Sequence, residues 1–212
     1  MKRIFDIAAA LTGLVLLSPL FIVIAVMIKA EDGGPVFFKA TRVGLHGRMF
    51  WLYKFRTMIV GAEKTGPGIT RARDGRITNT GRVLRRYKLD ELPQLVNIVC
   101  GHMNLVGPRP EDPRYIVRYD PAQMKILAVR PGITSPASLM FSQEESLLDG
   151  YEWEKKYLND IMPAKLSIDL EYFKGNSFMS DLYLILRTIA KIVHFTTVLH
   201  RESQIHVSLG RH

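Results

Sequence analysis

Asp90 and Glu91 stand side by side directly behind a basic run, Arg85-Arg86-Tyr87-Lys88, with Pro93 just beyond them and Gly107-Pro108-Arg109-Pro110 a short way downstream. Adjacent carboxylates repel each other, so a pair is best understood where cations or a metal share the site. The cations are in the chain. From Lys64 to Lys88 the residues Lys64, Arg71, Arg73, Arg76, Arg82, Arg85, Arg86 and Lys88 face only Asp74 as a counter-charge. A divalent metal and a substrate phosphate would complete the balance, since Mg²⁺ commonly sits between one or two carboxylates and phosphate oxygens. The chemistry this predicts is phosphoryl transfer. An acidic pair at a helix N-terminus stabilises any helix, and that reading accounts for Asp90-Glu91 taken alone. It leaves the upstream arginines and the stiff turn around Arg109 without a purpose. Prolines on both sides of Arg109 restrict its backbone and suit a guanidinium that forks onto a phosphate, although an ordinary loop would read the same in isolation. Lys54-Phe55-Arg56-Thr57-Met58 adds two cations and a hydroxyl; by itself it reads equally as a solvated strand end.

These residues need elements that bring them together. On one straight helix, Arg85 and Asp90 are five positions apart and point roughly 140° away from each other. Pro93 disfavours helical geometry at Leu92 and would clash with the Leu89 carbonyl. A helix over Gly81 to Lys88, capped by Thr80, followed by a second starting near Leu89 to Glu91 and running to Gly101, places a break between arginine and aspartate. The break lets them converge. Pro35 to Val43 and Met49 to Phe55 read as a β-hairpin around Gly44-Leu45-His46-Gly47. Gly61 to Gly75 reads as a loop, Asp112 to Val129 as helical, Arg130 to Thr134 as a turn, and Phe141 to Tyr172 as helical and polar. About 179–199, Leu182, Ile185, Leu186, Ile189, Ile192, Val193 and Phe195 recur at helical spacing beside Arg187, Lys191 and His194. That is an amphipathic helix suited to the core or to a membrane surface.

Lys2 and Arg3 precede a run from Ile7 to Ile28 without a charged side chain. About 22 helical residues reach roughly 33 Å, enough to cross a hydrocarbon core. No convincing cleavage site follows the run, which argues against a signal peptide. A full span with Lys2-Arg3 inside would place the basic domain outside. Ser18-Pro19 interrupts the run, and a helix kinked there can enter and leave through one leaflet. The residues alone leave spanning and re-entrant forms open.

The chain has 212 residues, a length that favours one substantial core. Its net charge of +9 calls for an anionic partner: nucleic acid, anionic lipid or a phosphorylated substrate. The single cysteine, Cys100, excludes an intrachain disulfide and a cysteine zinc site. A membrane-tethered, non-enzymatic binder of nucleic acid or lipid would suit the charge. It has no use for two carboxylates in the most basic region, and no nucleic-acid motif is recognisable. A multi-span lipid phosphosugar transferase would need more than one apolar segment.

The order and spacing of Lys2-Arg3-Ile4-Phe5-Asp6, Ser18-Pro19, Gly34-Pro35-Val36, Lys54-Phe55-Arg56-Thr57-Met58, Leu89-Asp90-Glu91-Leu92-Pro93-Gln94, Gly107-Pro108-Arg109-Pro110 and Arg130-Pro131-Gly132-Ile133-Thr134 resemble the bacterial sugar transferases, the monotopic polyprenyl-phosphate phosphoglycosyl transferases. The resemblance implies a helix-rich α+β fold with a small hairpin, a kinked re-entrant anchor over 1–30 broken at Ser18-Pro19, and a catalytic domain over 31–212 with amphipathic interfacial helices. It implies Asp90 as a nucleophile that binds Mg²⁺, Glu91 as its catalytic and metal-binding companion, and Arg85, Arg109, Thr57, Lys54 and Arg56 on the substrate phosphates. The reaction it implies takes a UDP-sugar and polyprenyl (undecaprenyl) phosphate, releases UMP and passes through a phosphosugar on Asp90. The implied setting is the cytoplasmic face of the bacterial inner membrane, in contact with membrane lipid and without nucleic acid, self-association being left open. The chain departs from the family pattern after Thr134, where Ser135-Pro136-Ala137-Ser138 and the following residues replace a Gly-Trp-Ala-Gln-Val segment. The sugar and its contacts stay open there.

Overall fold

The computed structural model describes residues 1–62, 74–148 and 152–209, with side chains described except at 145, 146 and from 194 onward. The expected loop between Gly61 and Gly75, with Lys64, Arg71 and Arg73, falls largely outside the described residues.

The apolar amino-terminal run is two helices, α1 (Lys2–Leu16) and α2 (Ser18–Asp32), bent by 60° about Leu17. Pro19 lies in the first turn of α2, where its missing N–H costs nothing to the new helix. Ser18 Oγ donates to the Val15 carbonyl at 2.8 Å, the carbonyl a proline at position 19 would otherwise strand. The inner side of the pair packs on the rest of the chain: Ala10 against Phe50, Leu52, Ile98 and Met103, and Ile24 and Ile28 against Phe55 and Leu84. The outer side leaves Leu11, Val15, Leu16, Ile22, Val23 and Val26 exposed. No single helix among the described residues is long and apolar enough to cross a membrane; the bent pair passes that test only together.

The hairpin forms as expected. β1 (Phe37–Val43) and β2 (Met49–Phe55) pair antiparallel with Ala40 opposite Leu52 and Arg42 opposite Phe50. Alternation turns Phe50 and Leu52 inward and leaves Met49 and Trp51 exposed. α3 (Asn79–Arg86) and α4 (Gln94–Val99) are separate helices joined by a 3₁₀ turn at Leu89–Glu91. The cap of α3 is Thr78 rather than the expected Thr80. Thr78 is extended, so its hydroxyl reaches the Gly81 N–H at 2.9 Å, whereas the Thr80 N–H lies inside the first turn and bonds Glu31.

Two further expectations need correction. Asp112 to Val129 is not one helix but α5 (Pro113–Ile116) and a 3₁₀ segment at Gln123–Ala128. The Asp120 carboxylate accepts from the Ala122 and Gln123 N–H groups and restarts the chain there. Gly132–Thr134, read as a turn, is β4, paired parallel with β3 (Asn104–Val106) in a second two-stranded sheet. A three-residue parallel strand carries no periodicity that sequence could reveal. The carboxyl-terminal half is helical: α6 (Pro136–Met140), α7 (Glu144–Leu147), α8 (Trp153–Lys156), a wide π turn (Tyr157–Ile161), α9 (Met162–Phe173) and the long α10 (Phe178–Leu209). Tyr115, Ile126, Leu148, Trp153, Ile161 and Leu166 form its core. The whole is a helix-rich α+β chain with two small sheets.

Candidate active site

The break between α3 and α4 is made by Lys88, whose φ of 57° is left-handed backbone that a lysine seldom adopts. The Lys88 N–H bonds the Arg85 carbonyl, and the Glu91 N–H bonds the Lys88 carbonyl, so the reversal is closed on both sides. Asp90 is thereby turned inward, 7% exposed, while Glu91 faces the hairpin. Lys54, at the end of β2, reaches Glu91 Oε1 at 3.0 Å. Arg109 grips the same carboxylate with both Nη atoms, at 2.5 Å to Oε1 and 3.2 Å to Oε2.

The two neighbouring carboxyls are shifted in opposite directions. Burial pushes the Asp90 carboxyl above its ordinary value and Glu91 adds to that, while Lys54, Arg85 and Lys88 oppose it. Burial acts on Glu91 in the same direction, but Arg109 and Lys54 outweigh it and hold Glu91 well below the usual carboxylate range. In return the Arg109 guanidinium is held above its ordinary value, mainly by Glu91. Lys54 is lowered by its burial, against the pull of Glu91 and Asp90. Asp90 Oδ1 is buried and has no hydrogen-bond partner. Such an atom is costly unless something outside the chain satisfies it.

Backbone contact sets the rest of the frame. A Cβ on Gly81 would come within 2.1 Å of the Thr57 carbonyl oxygen, so only glycine lets α3 approach the end of β2. That approach brings Arg85 Nη1 to 3.4 Å from Thr57 Oγ1. Gly107 and Gly132 pack with similar closeness, a Cβ on Gly132 meeting the Gly107 nitrogen at 2.1 Å. The Gly132 N–H bonds the Pro108 carbonyl at 3.0 Å. β4 thus holds the Pro108-Arg109-Pro110 turn against the carboxylate pair.

Of the residues singled out in the sequence, Asp90, Glu91, Lys54, Arg109, Arg85 and Thr57 are linked through these contacts. Arg56 is not. Its guanidinium pairs with Asp32 at 2.5 and 2.6 Å and donates to the Pro35 and Met58 carbonyls, so all its sides are engaged between the hairpin and α2. Lys54 lies inside β2 and turns to Glu91, whereas Arg56 lies just past the strand end, where Asp32, Pro35 and Met58 take its guanidinium. Arg56 is a tie between α2 and the end of β2. Glu91, expected among the metal ligands, has both oxygens occupied by Arg109 and Lys54.

Two residues of the site were passed over in the sequence. Asn97 is fully buried, donates from Nδ2 to the Trp51 carbonyl at 2.6 Å and accepts the Tyr53 N–H at 3.0 Å. It locks β2, and with it Lys54, onto α4. Gln94 is 2% exposed and its Nε2 is a buried donor without a partner, one turn after Asp90. Gln94 closes the Leu89-to-Gln94 motif, and a polar side chain among the apolar residues of a short helix is the signal Asn97 offered.

A divalent cation fits this arrangement at one point. No group of three or more His, Cys, Asp or Glu side chains able to hold a metal occurs among the described residues. The unpartnered Asp90 Oδ1 is the available protein oxygen. Mg²⁺ ordinarily keeps several waters and takes one or two carboxylates plus substrate phosphates, so one such oxygen suffices.

A model of a family described as bacterial sugar transferase matches residues 1–195. The chain is similar to an uncharacterized sugar transferase, EpsL, of Bacillus subtilis (strain 168), with 36% identity over 193 residues that cover 91% of this chain and 87% of the relative. It is 36% identical over 205 residues to a UDP-glucose:undecaprenyl-phosphate glucose-1-phosphate transferase of Caulobacter vibrioides, covering 91% of this chain and 69% of that one. A UDP-N-acetylgalactosamine-undecaprenyl-phosphate N-acetylgalactosaminephosphotransferase of Aeromonas hydrophila is 37% identical over 195 residues, which are 91% of this chain and 43% of the longer relative.

Proposed function

The chain belongs to the bacterial sugar transferase family, and from that premise we propose that it is a phosphotransferase moving a sugar-1-phosphate from a UDP-sugar to undecaprenyl phosphate. The product is a polyprenyl diphosphosugar, a first membrane step in building an exopolysaccharide or related envelope glycan. The printed names of its relatives differ in the sugar, glucose in one and N-acetylgalactosamine in another, so the sugar is not chosen by kinship.

The observation that carries this reading is the asymmetry of the carboxylate pair. Asp90 keeps a buried oxygen without a partner, and Glu91 is clamped by Arg109 and Lys54. Asp90 is the nucleophile: its oxygen attacks the β-phosphorus, the bond from that phosphorus to the bridging oxygen breaks, and UMP leaves with the electron pair. An oxygen of undecaprenyl phosphate then attacks the phosphosugar on Asp90 and frees the carboxylate. Glu91 holds Arg109 and Lys54 in place, so that cations face the transferring group without moving during reaction. Arg85 and Thr57 bind phosphate oxygens from the α3 side. Mg²⁺, held by Asp90, would neutralise charge on the transferring group.

The setting proposed is the cytoplasmic face of the membrane, with α1 and α2 as a re-entrant anchor. What supports it is that both ends of the bent pair are tied to the same body. Lys2 pairs with Asp181, and Arg3 donates to the Ile98 and Met103 carbonyls. At the other end, Asp32 holds Arg56 and Glu31 accepts the Asn79 and Thr80 N–H groups at 2.7 and 3.0 Å. A pair crossing the bilayer would separate its ends by about 30 Å of hydrocarbon.

The test is a single-turnover assay. With Mg²⁺ and the correct UDP-sugar but no lipid phosphate, about one UMP per site should appear and release should stop, the signature of a covalent intermediate. Asp90 should carry one phosphosugar by peptide mass mapping, and Asp90→Asn should abolish both. UMP release that requires lipid phosphate would replace this scheme with direct displacement.

A further inference from the structure

Beyond the carboxylate pair, Arg109 also forms one wall of a narrow cleft of about 40 Å³ whose far side is α9. Lys165 lines that cleft with it, and its side chain is only 12% exposed. Lys165 Nζ is 2.6 Å from Glu144 Oε2 and lies 5.7 Å from the centre of the Tyr157 ring. The charge of Glu144 also acts on the Arg109 guanidinium. Glu144 is thus in contact with Lys165 and close enough for its charge to act on Arg109, and both cations line the same cleft.

A largely buried lysine is costly to keep without an anion. Here the anion comes from Glu144 at the start of α7. A carboxylate held between a lysine and an arginine occupies the kind of place a phosphate takes. We propose that Lys165 is a phosphate ligand for the nucleotide side of the donor, and that the Glu144 carboxylate is a stand-in which the donor displaces. Arg109 and Lys165 then hold the two ends of the diphosphate, Arg109 beside the carboxylate pair and Lys165 on the phosphate that leaves as UMP. The inference rests on the UDP-sugar reading and extends it to the leaving group.

Lys165 is poised for binding and departure of the nucleotide, so its effect belongs to the UMP-releasing half of the reaction. Glu144 opposes binding, since its ion pair with Lys165 must open first.

The experiment measures UMP and uridine binding by calorimetry to the full-length protein in lipid nanodiscs, for wild type, Lys165→Met, Lys165→Arg and Glu144→Gln. Melting temperatures are read alongside. Wild type should bind UMP saturably. Lys165→Met should weaken UMP at least about tenfold while leaving uridine within about twofold, because only the phosphate contact is lost. Lys165→Arg should restore most of the affinity. Glu144→Gln should bind UMP about two- to fivefold tighter, as the competing anion is gone. UMP affinity unchanged in Lys165→Met, or UMP and uridine weakened by the same factor, would overturn the assignment and leave Lys165–Glu144 as a structural ion pair. A folded wild-type protein that binds no UMP would overturn the UDP-sugar reading itself, and the role of Lys165 with it.

Discussion

Asp90 and Arg109 are the residues on which the proposed chemistry turns, and in that proposal neither acts through its charge alone. Asp90 has a buried oxygen that no protein group satisfies, and Arg109 presents a planar fork already oriented by Glu91. With about two-fifths of its side chain exposed, Arg109 can meet a phosphate while keeping that orientation. A lysine there would keep the charge and lose the fork. Arg109→Lys should therefore lower kcat/KM for the UDP-sugar by about 10- to 100-fold, the range of one to two charge-assisted hydrogen bonds. A near wild-type value would remove Arg109 from the phosphate site. Arg56 should behave differently although it stands two residues from Lys54 in the same motif. Its partner is Asp32, whose carboxyl is lowered to about 2, chiefly by the Arg56 hydrogen bonds. Arg56→Ala should cost on the order of 3 kcal/mol of stability, or about 6–12 °C in Tm for a chain of this size. Per folded molecule, the UMP burst should be unchanged. A folded Arg56→Ala protein without a burst would return Arg56 to the substrate.

At the scale of elements, two breaks do the positioning. The first separates α3 from α4 through the left-handed Lys88 and turns Asp90 inward. The second separates α1 from α2, where Pro19 prevents an N–H···O=C bond and Ser18 satisfies the Val15 carbonyl instead. Pro19→Ala restores a donor at position 19 and allows one continuous helix across the break. Such a helix, about 31 residues and roughly 46 Å long, would be able to cross the bilayer. The expected outcome is a several-fold loss of activity in membranes, accompanied by a fraction of molecules whose Gly33 end reaches the periplasm. Full activity with unchanged accessibility would show that packing of Ala10, Ile24 and Ile28 holds the bend without the proline.

Taken as a whole, the molecule ties its amino-terminal helix pair to the rest of the chain at both ends. Lys2 and Arg3 are fastened to α10 and to the end of α4, Glu31 to α3, and Asp32 to Arg56 just past β2. Between these ties the bend carries the exposed apolar residues Leu11, Val15, Leu16, Ile22 and Val23. α10 adds Met179, Leu186, Ile189 and Val193 to the exposed apolar surface, while Leu184 is buried and Thr188 meets Thr134 at 2.8 Å. Both faces of this helix are in use. The expected topology is checked with single cysteines at Ile4 and Gly33 in a Cys100→Ser background, labelled in intact cells. Both should react only with a reagent that crosses the inner membrane. Reaction of the Gly33 site with an impermeant reagent would show a spanning anchor and move the catalytic body to the other side.

The residue types and their spacing were enough to mark Asp90-Glu91, the cations around them, the hairpin and the break in the amino-terminal apolar run, because each rests on a local rule. Charge runs, proline breaks and strand alternation are properties of neighbouring residues. The division of labour within those marks was decided by tertiary contact. Nothing local distinguishes Lys54 from Arg56 as a site residue, or Asp90 from Glu91 as the free carboxylate. Those choices follow from Asp32 and the Pro35 and Met58 carbonyls claiming Arg56, from Asn97 fixing β2 on α4, and from the paired glycines Gly107 and Gly132 bringing the Arg109 turn onto Glu91. The short parallel pair β3–β4 and the meeting of Lys165 with Glu144 were equally invisible in the sequence. Both join segments 20 or more residues apart, and such contacts exist only once the chain has closed its loops and buried its core.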